Sequence, residues 1–152
     1  ADWRRAVRAA MDRGAALLGI CLGMQWLFEG STEAPGVAGF AAFEGICGRL
    51  PDRGTKKSER GPTPFPKVPH VGWNSLVQPQ RTALLEGVAQ GAHVYFTHSY
   101  VAPPTADAAA TTTHGITFTS AVARGRIAGV QFHPEKSGDV GLRILRNWLN
   151  AV

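Results

Sequence analysis

The chain has 152 residues, enough for one domain (1–152) with a buried core, and its 44% hydrophobic and 18% charged content is that of an ordinary globular protein. Its formal charge of +5 comes from scattered residues, with Arg4, Arg5, Arg8 and Arg13 near the start and Lys56 and Lys57 in a polar stretch; no basic stripe interleaves with aromatics, which argues against a nucleic-acid partner. Two cysteines make no disulfide framework and no apolar run approaches a membrane span, so a reducing cytoplasm is the expected setting, with no membrane partner.

Residues 2–13 place Trp3, Ala6, Val7, Ala10 and Met11 at spacings of three and four, which predicts an amphipathic helix stopped by Gly14. Residues 15–20 read as a short apolar strand. Helical spacing returns from Leu22 to about Glu29 with Met24, Leu27 and Phe28. This αβα run predicts a parallel sheet covered by helices. Residues 36–50 read as short strands or turns punctuated by glycine, and 51–66 as an exposed loop rich in proline, glycine and charge. Val94–Thr97 is a strand candidate. Residues 116–123 and 126–132 alternate as two strands joined at Arg124-Gly125, and the chain ends in a helix from about Asp139 to Trp148 that turns Val140, Ile144, Leu145 and Trp148 inward.

Within this frame Gly19-Ile20-Cys21-Leu22-Gly23 has the form of a nucleophile elbow, Gly-x-nucleophile-x-Gly, following the apolar run Ala15–Leu18. A strand turns sharply into a helix there, and a β-carbon at either glycine is expected to crowd the turn. The helix N-terminus is expected to favour thiolate at Cys21. A lone buried cysteine is more often an inert small hydrophobe, so the motif needs a partner.

A nucleophilic cysteine needs a base, and the base a group to orient it. Of His70, His93, His98, His114 and His133, the last is best placed, at the end of the apolar strand 127–132 and followed by Pro134 and Glu135. In extended geometry residues two apart face the same way, so Glu135 is expected to orient His133. The plain alternative is a structural histidine beside a solvated carboxylate. Cys21 and Cys47 are far apart and no Cys-x-x-Cys or His-x-x-x-His occurs, so neither a metal nor any other cofactor is implied.

Gly19–Gln25, taken with Gly129-Val130-Gln131-Phe132-His133-Pro134-Glu135-Lys136-Ser137, resembles the class I glutamine amidotransferases. Lys67–Asn74, Tyr95–Tyr100 and Phe28–Glu33 narrow the resemblance to the glutaminase subunit of imidazole glycerol phosphate synthase, an enzyme of histidine biosynthesis. The resemblance implies an α/β, flavodoxin-like fold with a mixed sheet. It also implies hydrolysis of L-glutamine to glutamate and ammonia, with Cys21 as nucleophile, His133 as base and acid, and Glu135 as orienting carboxylate. Gln25, Glu33, Ser99 and Tyr100 match substrate-binding positions. His70, Trp73 and Asn74 match a contact with a (β/α)₈-barrel cyclase subunit that receives the ammonia as the other half of a heterodimer. A buried tryptophan and a turn histidine are the plain alternatives for Trp73 and His70. Family members carry a Pro-Gly-Val-Gly segment upstream of the nucleophile that helps form the oxyanion hole; here Pro35-Gly36-Val37-Ala38 lies downstream of Cys21. The expectation is therefore a domain lacking the N-terminal strands. Two rivals stay open: another cysteine amidohydrolase of this fold, and a non-catalytic fragment that docks on the cyclase.

Overall fold

The computed structural model describes residues 2–52 and 66–152, so most of the breaker-rich stretch, with Lys56 and Lys57, lies outside the described residues. Helix α1 (Trp3–Asp12) starts where the Asp2 carboxylate accepts the Arg5 N–H at 3.4 Å. It ends as Gly14 takes a φ of +94°. Its inward face is shallower than the spacing predicts: Val7 and Met11 pack against the core, but Trp3 is 73% exposed.

Strand β1 (Leu17–Ile20) leads through Cys21 into α2 (Leu22–Trp26), a single short turn of helix rather than the two turns expected. Leu27, the helical C-cap at φ −67° and ψ −19°, and Phe28 continue its buried face past the last α-helical residue. Two short strands follow, β2 (Gly30–Ser31) and β3 (Ile46–Arg49), and then β4 (His70–Ser75) and β5 (His93–His98). Next come β6 (Tyr100–Val101), β7 (Ala108–His114), β8 (Ile116–Arg124) and β9 (Ile127–Val130), a 3₁₀ turn at Pro134–Lys136, and α3 (Gly138–Ala151).

The main sheet runs β1-β9-β8-β7. It is mixed: β1 lies parallel to β9, in register from Leu17↔Ile127 to Ile20↔Val130, while β9–β8 and β8–β7 are antiparallel. The hairpin expected at Arg124-Gly125 closes through Gly125 and Arg126. A second sheet joins β2, β3 and β6, and β4 pairs antiparallel with β5 from His70↔His98 to Ser75↔His93.

Two apolar clusters fill the interior. Leu76, Val94, Phe96, Phe118, Val130, Phe132 and Ile144 form the larger, against which Val140 and Trp148 of α3 pack. Met24, Leu27, Phe28, Phe40, Phe43 and Cys47 form the smaller, beneath α2. Close approach between α2 and the sheet depends on Gly129, where an added Cβ would lie 2.8 Å from Met24 Cγ and 3.1 Å from Leu27 Cδ1. That contact seats α2 on β9 and so sets where Cys21 stands relative to the end of that strand.

Candidate active site

Cys21 has φ +52° and ψ −108°, a conformation a non-glycine residue adopts only under constraint. The constraint is visible on both sides. Its N–H donates to Val130 O at 2.8 Å, extending the β1–β9 pairing, and its carbonyl accepts the Gln25 N–H at 3.3 Å. Gly19 is required sterically, since a Cβ there would lie 2.5 Å from Gly23 O. Gly23 is not: no atom lies within 4 Å of a Cβ at that position, so only one of the two glycines is demanded by crowding. Gly23 instead lines an open cleft of about 400 Å³ with Leu22, Gln25, Trp26 and Glu33, and its missing side chain leaves that cleft wider.

Because β1 and β9 are parallel neighbours in register, the chain leaves both strands at the same end of the sheet, at Cys21 and Gln131, with His133 two residues farther on. His133 is clamped through its backbone. Its N–H donates to Tyr95 O at 2.9 Å and its carbonyl accepts the Ser137 hydroxyl at 2.6 Å, while Ser137 Oγ accepts the Tyr95 N–H at 2.9 Å. The imidazole Nδ1 meets Glu135 Oε1 at 2.7 Å. The expected pairing is present, but not by strand alternation, since Pro134–Lys136 is a 3₁₀ turn that brings Glu135 back beneath the ring.

Burial pushes the Glu135 carboxyl up, but the hydrogen bonds from its own backbone N–H and the His133 ring, with the nearby His133 and Lys136 charges, outweigh it and the net is downward. Glu135 is thus an anion next to Nδ1. It fixes the tautomer with the proton on Nδ1 and leaves Nε2 as the basic nitrogen.

The Cys21 thiol sits above its ordinary range. Burial raises it most; the Leu22 N–H and the Gln131 side chain lower it, and the Glu135 and Glu33 carboxylates raise it again. The expected thiolate-favouring helix end therefore loses to desolvation, because α2 offers one N–H and only five residues of dipole. Among the described residues no hydrogen bond joins Cys21 Sγ to His133; the thiol donates to Thr97 O at 3.8 Å, and Gln131 Nε2 approaches the sulfur at 3.6 Å. Catalytic hydrogen bonds are commonly long or absent before substrate binds.

The residues match known proteins along nearly the whole chain: the glutamine amidotransferase class-I family covers residues 3–152. The chain belongs to that family. It is 43% identical over 151 residues to the imidazole glycerol phosphate synthase subunit HisH of Thermococcus kodakarensis, a match covering 95% of this chain and 71% of that protein. To the same subunit of Deinococcus radiodurans it is 45% identical over 142 residues (91% of this chain, 61% of that protein), and to that of Moorella thermoacetica 42% over 149 residues (97% and 65%). The chain thus spans from 61% to 71% of the length of these relatives. A crystal structure of a glutamine amidotransferase matches with a TM-score of 0.60 at 20% identity, over 97% of this chain and 67% of the other. A glutamine amidotransferase from Thermotoga maritima gives 0.51 at 19% identity, over 97% and 51%. These two share the fold.

The other expected site residues fall into three places. Glu33, exposed on the turn after β2, shares the cleft with Gln25. Gln25 is not the helix-surface residue its position suggests; it is 6% exposed, and its Nε2 donates to Tyr100 O at 2.9 Å and to Gln131 Oε1 at 3.0 Å. Ser99 and Tyr100 do not line that cleft: Ser99 O accepts the Leu50 N–H at 2.8 Å, and Tyr100 contributes its carbonyl to the network that reaches Cys21 through Gln25 and Gln131.

The expected partner-facing trio divides. Trp73 is 57% exposed and meets Tyr95 edge-on, so the buried-core alternative for this tryptophan does not hold. His70 is 3% exposed and lies in strand β4, so it presents no surface to a partner and is not a turn histidine either. Asn74 reaches inward, its Nδ2 donating to Thr113 O at 2.9 Å and lying 3.2 Å from His70 Nε2.

Sequence reasoning missed Gln131, Ser137 and the histidine cluster under β4. Gln131 and Ser137 sit inside the quoted motif; a polar residue between Val130 and Phe132 was the available signal for Gln131, while Ser137, between Lys136 and Gly138, carried none. Among the described residues no group of three His, Cys, Asp or Glu side chains is placed to hold a metal ion, and no helix is long and apolar enough to cross a membrane.

Proposed function

We propose that this chain hydrolyses L-glutamine to glutamate and ammonia through Cys21, His133 and Glu135. In this reading the ammonia passes to a (β/α)₈-barrel cyclase subunit that makes imidazole glycerol phosphate in histidine biosynthesis, the two forming a cytoplasmic heterodimer. One observation carries the reading: a cysteine held at φ +52° beside a parallel strand whose continuation bears a histidine–carboxylate pair at 2.7 Å. The HisH name of its relatives supports the substrate and the pathway.

Cys21 Sγ attacks the side-chain carbonyl carbon of glutamine, and His133 Nε2 takes the thiol proton. The carbon–nitrogen bond then breaks, His133 returns the proton to the leaving nitrogen, and ammonia departs from a glutamyl thioester. Water attacks the thioester with His133 again as base; the carbon–sulfur bond breaks, the thiol is restored and glutamate leaves. Glu135 stabilises the imidazolium at each transfer.

The cleft beside Gly23, with Gln25 and Glu33 on its walls, is the proposed glutamine site. Gln25 Nε2 is committed to Tyr100 O and Gln131, which leaves Oε1 for the ligand. Trp73, exposed on β4, is the proposed anchor for the cyclase, as an aromatic projecting from a strand suits an interface.

The test is glutamate release from glutamine, measured with the cyclase subunit present. The reading predicts turnover that disappears in Cys21→Ala, with a loss on the order of 10³-fold or more. Turnover unchanged in Cys21→Ala would refute the nucleophile.

A further inference from the structure

We propose that Gln131 is a positioning residue for Cys21: held by Gln25, it aims an amide N–H at Sγ and so favours the thiolate over the thiol. The inference rests on the reading of Cys21 as nucleophile, and it adds to that reading a residue outside the triad.

The orientation of the Gln131 amide follows from an unambiguous starting point. Tyr100 O is a backbone carbonyl and only accepts, so the Gln25 atom at 2.9 Å from it is the nitrogen. That nitrogen has a second hydrogen, which goes to the Gln131 atom 3.0 Å away, and that atom is therefore the carbonyl oxygen. The remaining end of the Gln131 amide, 3.6 Å from Cys21 Sγ, is the N–H donor. Reversing Gln131 would set two NH₂ groups against each other and a carbonyl oxygen against the sulfur.

Gln131 is also fixed in place. It is 0% exposed, and its backbone N–H donates to Ser120 O at 2.9 Å across the β9–β8 pair. A buried amide costs free energy unless both its ends are satisfied, and here the nitrogen's partner is the nucleophile itself.

A donor aimed at sulfur does little for a neutral thiol, which is a weak acceptor, and much more for an anion. The sulfur needs this help: it is half-buried, and the carboxylates of Glu33 and Glu135 both oppose a thiolate there. Gln131 and the Leu22 N–H are the two donors that counter them. The relay Tyr100 O–Gln25–Gln131–Cys21 also ties the cleft to the nucleophile, so a ligand engaging Gln25 reaches the sulfur through one further amide.

The experiment is the pH profile of iodoacetamide alkylation at Cys21, read at peptide level by mass spectrometry. The proteins compared are the unmodified chain, Gln131→Met (similar volume, no donor) and Gln131→Glu. The glutamate variant keeps the shape and still accepts the Gln25 N–H, so it provides a folded comparison if the methionine variant fails. Cys47 is the internal control for packing, being 0% exposed with burial pushing its thiol up to about 12.

The expected result is a rise in the alkylation midpoint of Cys21, with a rate at neutral pH about tenfold lower in Gln131→Met and lower still in Gln131→Glu, and Cys47 labelling unchanged. An unshifted midpoint in a variant that keeps its circular dichroism would overturn the proposal while leaving the nucleophile reading intact. A shift accompanied by new labelling of Cys47 would make Gln131 a packing residue and overturn it equally. If glutamate release fails in the unmodified protein while the midpoint still shifts, the function reading fails and the tuning of the thiol stands.

Discussion

His133 and His70 have the same side chain and opposite surroundings. The His133 side chain is 20% exposed and pairs with a half-exposed carboxylate, while His70 is 3% exposed and pairs with another histidine. Around His70 the hydrogen bonds run in one direction. His98 Nδ1 donates to Tyr100 O at 3.0 Å, which leaves His98 Nε2 to accept His70 Nδ1–H at 2.9 Å, and His70 Nε2 in turn accepts from Asn74. Each ring is neutral with its tautomer set. His70 stacks on His114 at a centroid separation of 4.0 Å and on Phe96 at 4.7 Å, and burial pushes it down to about 3 and His98 to about 4. A histidine that cannot charge cannot shuttle protons. On the proposed reading the chemistry belongs to His133, where an anion is built in, while His70, where every polar atom is already used, is structural.

The comparison breaks most sharply at His133. His133→Ala is expected to lower glutamate release on the order of 10³-fold while leaving denaturant unfolding little changed, since Tyr95 O and Ser137 Oγ hold the backbone of residue 133 rather than its ring. A comparable loss from substituting His70, with the fold intact, would erase the distinction.

The buried cluster makes the opposite prediction, in stability. Unfolding releases rings that bind protons below about 6.5, so between that pH and about 3 the unfolded chain carries more protons than the folded one. The stability due to the neutral rings is full above pH 6.5 and is lost as pH falls toward 3. His70→Phe keeps the stacking but leaves His98 Nε2 without its donor, so it should cost about 1–3 kcal/mol at neutral pH and make that acid decline shallower. Chemical unfolding at a series of pH values checks both. An acid slope as steep as that of the unmodified chain would show that His70 is not a source of it.

The elbow and the His133–Glu135 pair were legible in the sequence because each is a local pattern of a few neighbouring residues, although the pair closes through a 3₁₀ turn and not through the expected strand alternation. Strand β9, the β8–β9 hairpin and α3 were legible for the same reason. Strand β7, Ala108–His114, was not: a run of three alanines and three threonines has no apolar alternation, and its strand character comes from pairing with β8. Strand β4 was read as a motif because Gly72 and Asn74 obscure its period; its partner β5 lies beyond a long connection. The exposure of Trp73, the burial of His70 and the Gln25–Gln131 relay are tertiary facts, joining residues as much as 106 positions apart. Gly23 teaches the converse, since it satisfies the elbow pattern without the steric need that the pattern implies.

The central claim is that Cys21 is a nucleophile standing in a glutamine site, and covalent labelling tests it most directly. The chain is treated with an electrophilic glutamine analogue, with and without excess glutamine, and the modified cysteine is located by peptide mass spectrometry. The account predicts labelling of Cys21, protection by glutamine and no labelling of Cys47, which is fully buried. Labelling of Cys21 that glutamine does not suppress, or none at all, would contradict it.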